Sequence, residues 1–181
     1  MTGVSDTRAE FERMFRERYA AVYRYATRRV ESAAVQDVVA DTFLAAWRRF
    51  DQVDGDPLPW LLGIARRVCA NHLRGRERRA ALRERLMAEP AAGHSASPRD
   101  DRKLLAALAA LREEDREALL LVGWDGLSNP RAALVAGCST GAFTVRLHRA
   151  RRRLARALNS QRADEAAMKE NQEGEVIHDA T

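Results

Sequence analysis

The sequence predicts an all-α protein of two small helical domains joined by a flexible linker. Three observations carry this. Glycine and proline are sparse (10 and 5 of 181 residues) while alanine, leucine and arginine abound, a composition that favours helix over sheet. Apolar residues recur at helical spacing in two separate blocks. Between the blocks, residues 88–100 read "AEPAAGHSASPRD", rich in Pro, Ala, Ser and Gly with no apolar period.

The charge follows the same division. Residues 1–87 carry 17 basic and 12 acidic side chains, residues 101–160 carry 11 and 6, and residues 161–181 carry 2 and 6. Two basic blocks are thus followed by an acidic tail, within a net charge of +5. Hydrophobic residues make up 46%, enough for two compact cores of three or four helices each. No apolar run is long enough to span a membrane. The start "MTGVSDTRAEFERMF" has early acids and no apolar stretch, unlike a signal peptide. Cys69 and Cys138 lie far apart and read as two thiols in a reducing cytoplasm, not as a disulfide or metal site.

In the first block, Phe11, Met14, Phe15, Val22 and Ala26 mark a helix over 10–29. Ser32 is a candidate N-cap for the next helix. There Val35, Val38, Val39, Thr42, Phe43, Ala46 and Trp47 form one stripe, with Asp37 and Asp41 four apart on another face. No histidine or second carboxylate pair stands at ligand spacing, so the aspartates suit a solvated face or a docking face for a basic partner better than acid–base work. Residues 51–57, "DQVDGDP", form a loop, and Pro59 fits the first turn of a third helix. Trp60, Leu61, Ile64, Ala65, Val68 and Leu73 are its buried stripe. From Arg66 to Arg85 there are eight arginines against two glutamates, a one-signed excess that suits a polyanion.

In the second block, Leu104, Leu105, Leu108 and Leu111 give a helix ending near Arg112, and "EEDREALLLVGW" starts another with acids in its first turn. Ser128 or Asn129 caps a short helix with Pro130 in its first turn. Gly137 suits a left-handed C-cap, and Ser139 suits the N-cap of a long basic helix. Short helix, glycine-containing turn, longer basic helix is the helix-turn-helix pattern, so the second domain is expected to be a helix-turn-helix domain. On a helical wheel Phe143, Leu147, Ala150, Leu154 and Leu158 form an inner stripe, and Arg146, Arg149, Arg153 and Arg156 an outer one. No acid lies between Asp125 and Asp164, so the outer stripe reads as unpaired guanidiniums facing DNA phosphates and guanine edges. Val145 on that face suits a thymine methyl or is simply exposed.

Taken together, these stretches resemble a sigma factor of the extracytoplasmic-function class, in the sigma-70 family of bacterial RNA polymerase. "DVVADTFLAAWRRFDQV" (37–53) is similar to the motif that docks on the polymerase clamp helices. "PWLLGIARRVCANHLRGRERR" (59–79) resembles the stretch that opens and reads the −10 element. "DGLSNPRAALVAGCSTGAFTVRLHRARRRL" (125–154) resembles the helix-turn-helix that reads the −35 element.

The resemblance implies a promoter-specificity subunit with no catalysis and no cofactor, metal or small-molecule substrate. Core docking falls to Asp37, Asp41, Phe43, Leu44 and Trp47. Contacts to the −10 element fall to Trp60, Arg66, Arg67, Asn71 and Arg74, with loop 51–58 matching the one that pockets a flipped base. Contacts to the −35 element fall to Ser139, Thr140, Thr144, Val145, Arg146, Arg149 and Arg153. Arg151, off the main stripe, suits phosphate contact or solvation. The implied partners are the polymerase core (clamp helices and flap), promoter DNA both duplex and melted, and in many family members an anti-sigma factor. The domains are expected at 1–87 and 101–160, with the tail 161–181 lacking regular structure or serving as a docking segment or flap.

The chain also departs from the family. Asn129, Pro130 and Arg131 stand where acids are usual, and Ala142-Phe143-Thr144-Val145 replaces the usual Thr-Val-Lys-Ser. Arg67 and Asn71 replace asparagine and aspartate. Two other functions fit parts of the sequence. A helix-turn-helix regulator acting without core has no use for Trp60 and loop 51–58. A nuclease needs a cluster that the scattered His72, His94, His148 and His178 do not supply.

Overall fold

A computed structural model describes residues 3–53, 55–86 and 99–178. They form seven α-helices: α1 (Gly3–Thr27), α2 (Val35–Trp47), α3 (Pro57–Leu86), α4 (Arg99–Ala109), α5 (Glu113–Gly123), α6 (Asn129–Ala136) and α7 (Thr140–His178). Short 3-10 turns at Ser32–Ala34 and Phe50–Gln52 flank α2, and there is no strand among the described residues.

In the first half, α1, α2 and α3 pack on one another. The apolar stripe predicted for α2 is buried from Val35 to Ala46, but Trp47 at its end is 43% exposed. On α1, Met14, Val22 and Ala26 are buried as the spacing predicts, and Tyr25 joins them with no exposed surface. Leu61, Ile64 and Ala65 bury the inner side of α3, together with Leu62 and Cys69. Ser32 does not cap α2. It begins the 3-10 turn instead, one turn too early, and its carbonyl accepts from the Val35 N–H. Helix α2 then starts behind Ala34 with no side-chain cap.

In the second half, α4, α5 and α6 pack on α7. Phe143, Leu147 and Ala150 are buried, and Leu154 and Leu158 half-buried, as the wheel predicts. Gly137 ends α6 at φ +69°, the left-handed C-cap, and its N–H is bonded back to Ala133 and Leu134. The Ala142 N–H donates to Ser139 Oγ at 3.2 Å, so Ser139 caps α7.

The two expected helical domains are present, and they pack on each other: α6 lies on α3, and one apolar cluster runs from Met14 through Leu61 to Ala132 and Phe143. Sequence periodicity reports that a face is apolar, not whether its cover belongs to the same domain. The acidic segment, expected to lack regular structure, continues α7 to His178. It holds no proline and many good helix formers, and a helix already under way needs no new nucleus. Of the expected linker 88–100, residues 88–98 lie outside the described residues, and α4 begins at Arg99.

Candidate nucleic-acid and polymerase interface

Three surfaces carry the predicted site residues. The first is the outer face of α2. Asp37, Asp41 and Leu44 lie at i, i+4 and i+7, within an arc of about 60°. Both aspartates are exposed, and Leu44 is 50% exposed. Trp47 sets one edge against Phe11, ring centroids 4.9 Å apart, and shows the rest to solvent. The result is two carboxylates beside two apolar groups that nothing in the chain covers fully. Phe43 does not belong with them. It is 5% exposed and sits among Phe15, Tyr19 and Phe11, with centroids at 4.6, 6.3 and 6.5 Å. Its position places it in the core, where it holds α2 on α1.

The second surface is the basic side of α3. Arg66, Arg67, Asn71 and Arg74 all line one cleft of about 980 Å³. Arg74 donates to Asn71 Oδ1 at 2.5 Å, so the asparagine orients a guanidinium on the helix surface. Trp60 is half-buried against the core and is not part of that cleft. Within the expected loop 51–58, residue 54 lies outside the described residues and α3 already begins at Pro57; the contacts that tie the segment down come from Asp56. Its Oδ1 accepts from the Leu58 N–H at 3.1 Å, and its carboxylate faces Arg18 at 3.8 Å and pairs with Arg131 of α6.

The third surface is the exposed side of α7. Val145, Arg146, Arg149 and Arg153 line a shallow groove with Arg112, Glu114 and Asp115. Thr144 is tied down: its hydroxyl donates to the Thr140 carbonyl at 2.8 Å and accepts from Asn129 Nδ2 at 3.2 Å. The expected row of unpaired guanidiniums needs a correction. Arg153 pairs with Asp115 of α5, whose carboxylate is almost fully buried. The acid comes from 38 residues away in sequence, so its absence near α7 in the chain said nothing about its presence in space. Arg149 keeps its exposure, and Arg146 is half-buried.

The structure adds a set of residues that the sequence did not single out. Arg29 of the first half donates to Glu117 at 2.8 Å and to Asp125 at 3.2 Å, both from the second half. Arg28 donates to Asp125 at 2.9 Å, and the Tyr25 hydroxyl donates to Glu117 at 2.7 Å. The Arg29 guanidinium lies over the Tyr25 ring, 3.5 Å from its centroid. Burial pushes the Asp125 carboxyl above its ordinary value against the pull of Arg29 and Arg28. Burial alone would lower Arg29, but Tyr25, Glu117 and Asp125 together hold it above its ordinary value. Burial also pushes the Tyr25 phenol well up. Partners 88 to 97 residues apart leave no local sequence signal.

No group of three or more metal-ligating side chains occurs among the described residues. No helix among them is long and apolar enough to cross a membrane.

Known proteins share this arrangement. The Sigma-70 region 2 profile matches residues 14–79, and the Sigma-70 region 4 profile matches residues 101–154. The RNA polymerase sigma factor NccH of Alcaligenes xylosoxydans xylosoxydans is 34% identical over 142 residues, 72% of this chain and 76% of that protein. Also similar is the ECF RNA polymerase sigma factor EcfG of Rhodopseudomonas palustris, 34% identical over 67% of this chain and 70% of its own. The chain belongs to the extracytoplasmic-function class of the sigma-70 family. Among solved structures, the sigma factor RpoE in complex with the anti-sigma factor NepR from Bartonella quintana is 28% identical with a TM-score of 0.66. The match covers 83% of this chain and 97% of that one. CnrH in complex with the cytosolic domain of CnrY is 26% identical with a TM-score of 0.64, covering 84% and 90%. As a sigma factor, the chain is a promoter-specificity subunit of RNA polymerase, and sigma factors are regulatory, non-enzymatic subunits of that assembly.

Proposed function

We propose the following division of labour on the sigma-factor scaffold. The α2 stripe of Asp37, Asp41, Leu44 and Trp47 docks on the polymerase core, with Phe43 supporting it from the core side. Arg66, Arg67, Asn71 and Arg74 of α3 meet the −10 element, with loop 51–58 and Trp60 beside them. Ser139, Thr140, Thr144, Val145, Arg146 and Arg149 of the helix-turn-helix meet the −35 element. Arg153 braces α7 on α5 and offers its outward side to phosphate. The protein acts in the cytoplasm, where polymerase and promoters are, and catalyses nothing itself. An anti-sigma factor is a further partner, by analogy with RpoE bound to NepR.

The observation that supports this most is the α2 face. An exposed leucine and tryptophan beside two exposed aspartates, on a helix whose other side is fully packed, is a surface built for a protein partner. A duplex-only regulator has no need of it. The test is reconstituted transcription with bacterial core polymerase, this protein and a pool of genomic promoter fragments. Initiation from a defined subset, dependent on both proteins, is the expected result. Duplex binding without any association with core would overturn the reading.

A further inference from the structure

In the first two turns of α7, the groove on its exposed side is lined by Gly141, Ala142 and Val145. All three are exposed, and none has a polar side-chain atom. Thr144 stands beside them. At 142, 144 and 145 the chain has alanine, threonine and valine where the family usually has threonine, lysine and serine. Three polar side chains have given way to two apolar ones and a single hydroxyl.

That hydroxyl is already engaged. It donates to the Thr140 carbonyl at 2.8 Å and accepts from Asn129 Nδ2 at 3.2 Å. A hydroxyl has one proton to give. Turning the Asn129 amide over does not release it, because the proton then goes either to Thr140 or to the amide oxygen. No donor is left for an acceptor on a base edge. Toward DNA, Thr144 behaves as an apolar residue of valine's shape. Asn129 is well placed to enforce this, as the first residue of α6, the helix that packs on α7 next to the turn.

An apolar surface in the major groove has one distinctive partner. Thymine alone presents a methyl group there, and the other three bases present no such group. We infer that the first two turns of α7 select −35 DNA through thymine methyl contacts centred on Val145, and that Asn129 is the positioning residue that keeps Thr144 out of hydrogen-bond readout. This rests on the proposed −35 role of α7. Arg146 and Arg149 border the same groove, so the methyl contact sits among guanidiniums that hold the duplex by its phosphates and guanine edges.

The test uses holoenzyme reconstituted from bacterial core polymerase and the full chain. Asn129, Thr144 and Val145 are exposed or half-exposed, so variants at these positions keep the core. Fragments bound from a promoter pool randomised over the −35 element are sequenced. Thymine should be enriched at one or two positions, and Val145→Ala should erase that enrichment. Each enriched thymine is then replaced by deoxyuridine, which lacks only the methyl group. Binding should weaken about fourfold per position with the unaltered protein, the worth of one methyl-sized group, and hardly change with Val145→Ala. Thr144→Val removes the hydroxyl and keeps the shape, and should leave the selected sequences as they were. Asn129→Ala leaves the hydroxyl held by one bond instead of two. It should add a preference of about fivefold for an acceptor-bearing base at one further position. The Asn129→Ala, Thr144→Val double variant should lose that preference again.

Equal binding of thymine and deoxyuridine duplexes overturns the methyl readout. A base preference that disappears in Thr144→Val overturns the silence of its hydroxyl. An Asn129→Ala protein with no new preference, weakened on all sequences alike or on none, overturns the positioning role of Asn129. The −35 reading fails separately: the randomised segment would then show no enrichment of any base, with core binding intact.

Discussion

Arg153 of α7 and Asp115 of α5 form an ion pair that divides the arginines of the recognition helix into two kinds. Asp115 is 5% exposed and takes its hydrogen bond from this partner, while Arg149 one turn earlier stays exposed on the groove and forms no ion pair among the described residues.

Arg153→Ala is therefore expected to cost stability, about 1–3 kcal/mol, because it strands a buried acceptor. Arg149→Ala should leave the melting temperature nearly unchanged. It should weaken binding to a −35-containing duplex by about 1–3 kcal/mol if it reads guanine. Thermal melts and fluorescence anisotropy on both variants separate the two roles. Equal losses for Arg149→Ala on promoter and random duplex would mean phosphate contact only.

The α2 face makes an opposite pair of expectations. Asp41→Arg reverses an exposed charge and should reduce affinity for the polymerase core at least tenfold, about 1.4 kcal/mol, with the fold intact. Phe43→Ala removes a ring from among Phe11, Phe15 and Tyr19 and should destabilise the domain by about 3–5 kcal/mol. Circular dichroism with a core pull-down decides between loss of docking and loss of fold. Retained core affinity in Asp41→Arg would refute the docking role.

Cys69 offers a pH test of the core. Burial pushes its thiol up to about 11 from an ordinary 9.0. A thiol raised in the folded state contributes stability that is fully present below the unfolded value and is lost as pH rises through the folded one. Between 9.0 and about 11 the unfolded chain sheds this proton first, at a cost to folding of roughly 3 kcal/mol. Comparing the pH dependence of unfolding with that of Cys69→Ala isolates it. At neutral pH, Cys138, half-buried, should react with a thiol reagent well before Cys69.

Much of this was legible in the sequence, and the reason is locality. The inner stripe of α7, the acids opening α5 and the Gly137 turn are all set by neighbours within four residues, so periodicity and caps reveal them. The exposure of Asp37, Asp41 and Arg149 was legible because these side chains break no local rule and serve no local need. What escaped was non-local. Asp115 under Arg153, Arg131 on Asp56, and Arg29 between Glu117 and Asp125 join residues 38 to 96 positions apart. Such pairings follow from how the two halves meet, which no pattern within either half encodes. Phe43 shows the same limit from the other side: its spacing puts it in the buried stripe of α2, where it lies, while the motif that contains it does not say whether contact or packing requires it.

Gly137 gives the last prediction. It sits at φ +69° between α6 and α7, and a Cβ built there meets nothing within 4 Å. Any cost of substitution is then conformational and not a clash. An alanine forced into the left-handed region should cost about 1–2 kcal/mol, and asparagine, which tolerates that region, less. The turn also sets the angle between α6 and α7, so Gly137→Ala should lower −35 duplex affinity as well as the melting temperature, with Gly137→Asn close to the unaltered protein in both. A Gly137→Ala protein that melts earlier but binds the duplex as before would show that the turn contributes stability alone, and that α7 is oriented by its packing on α5.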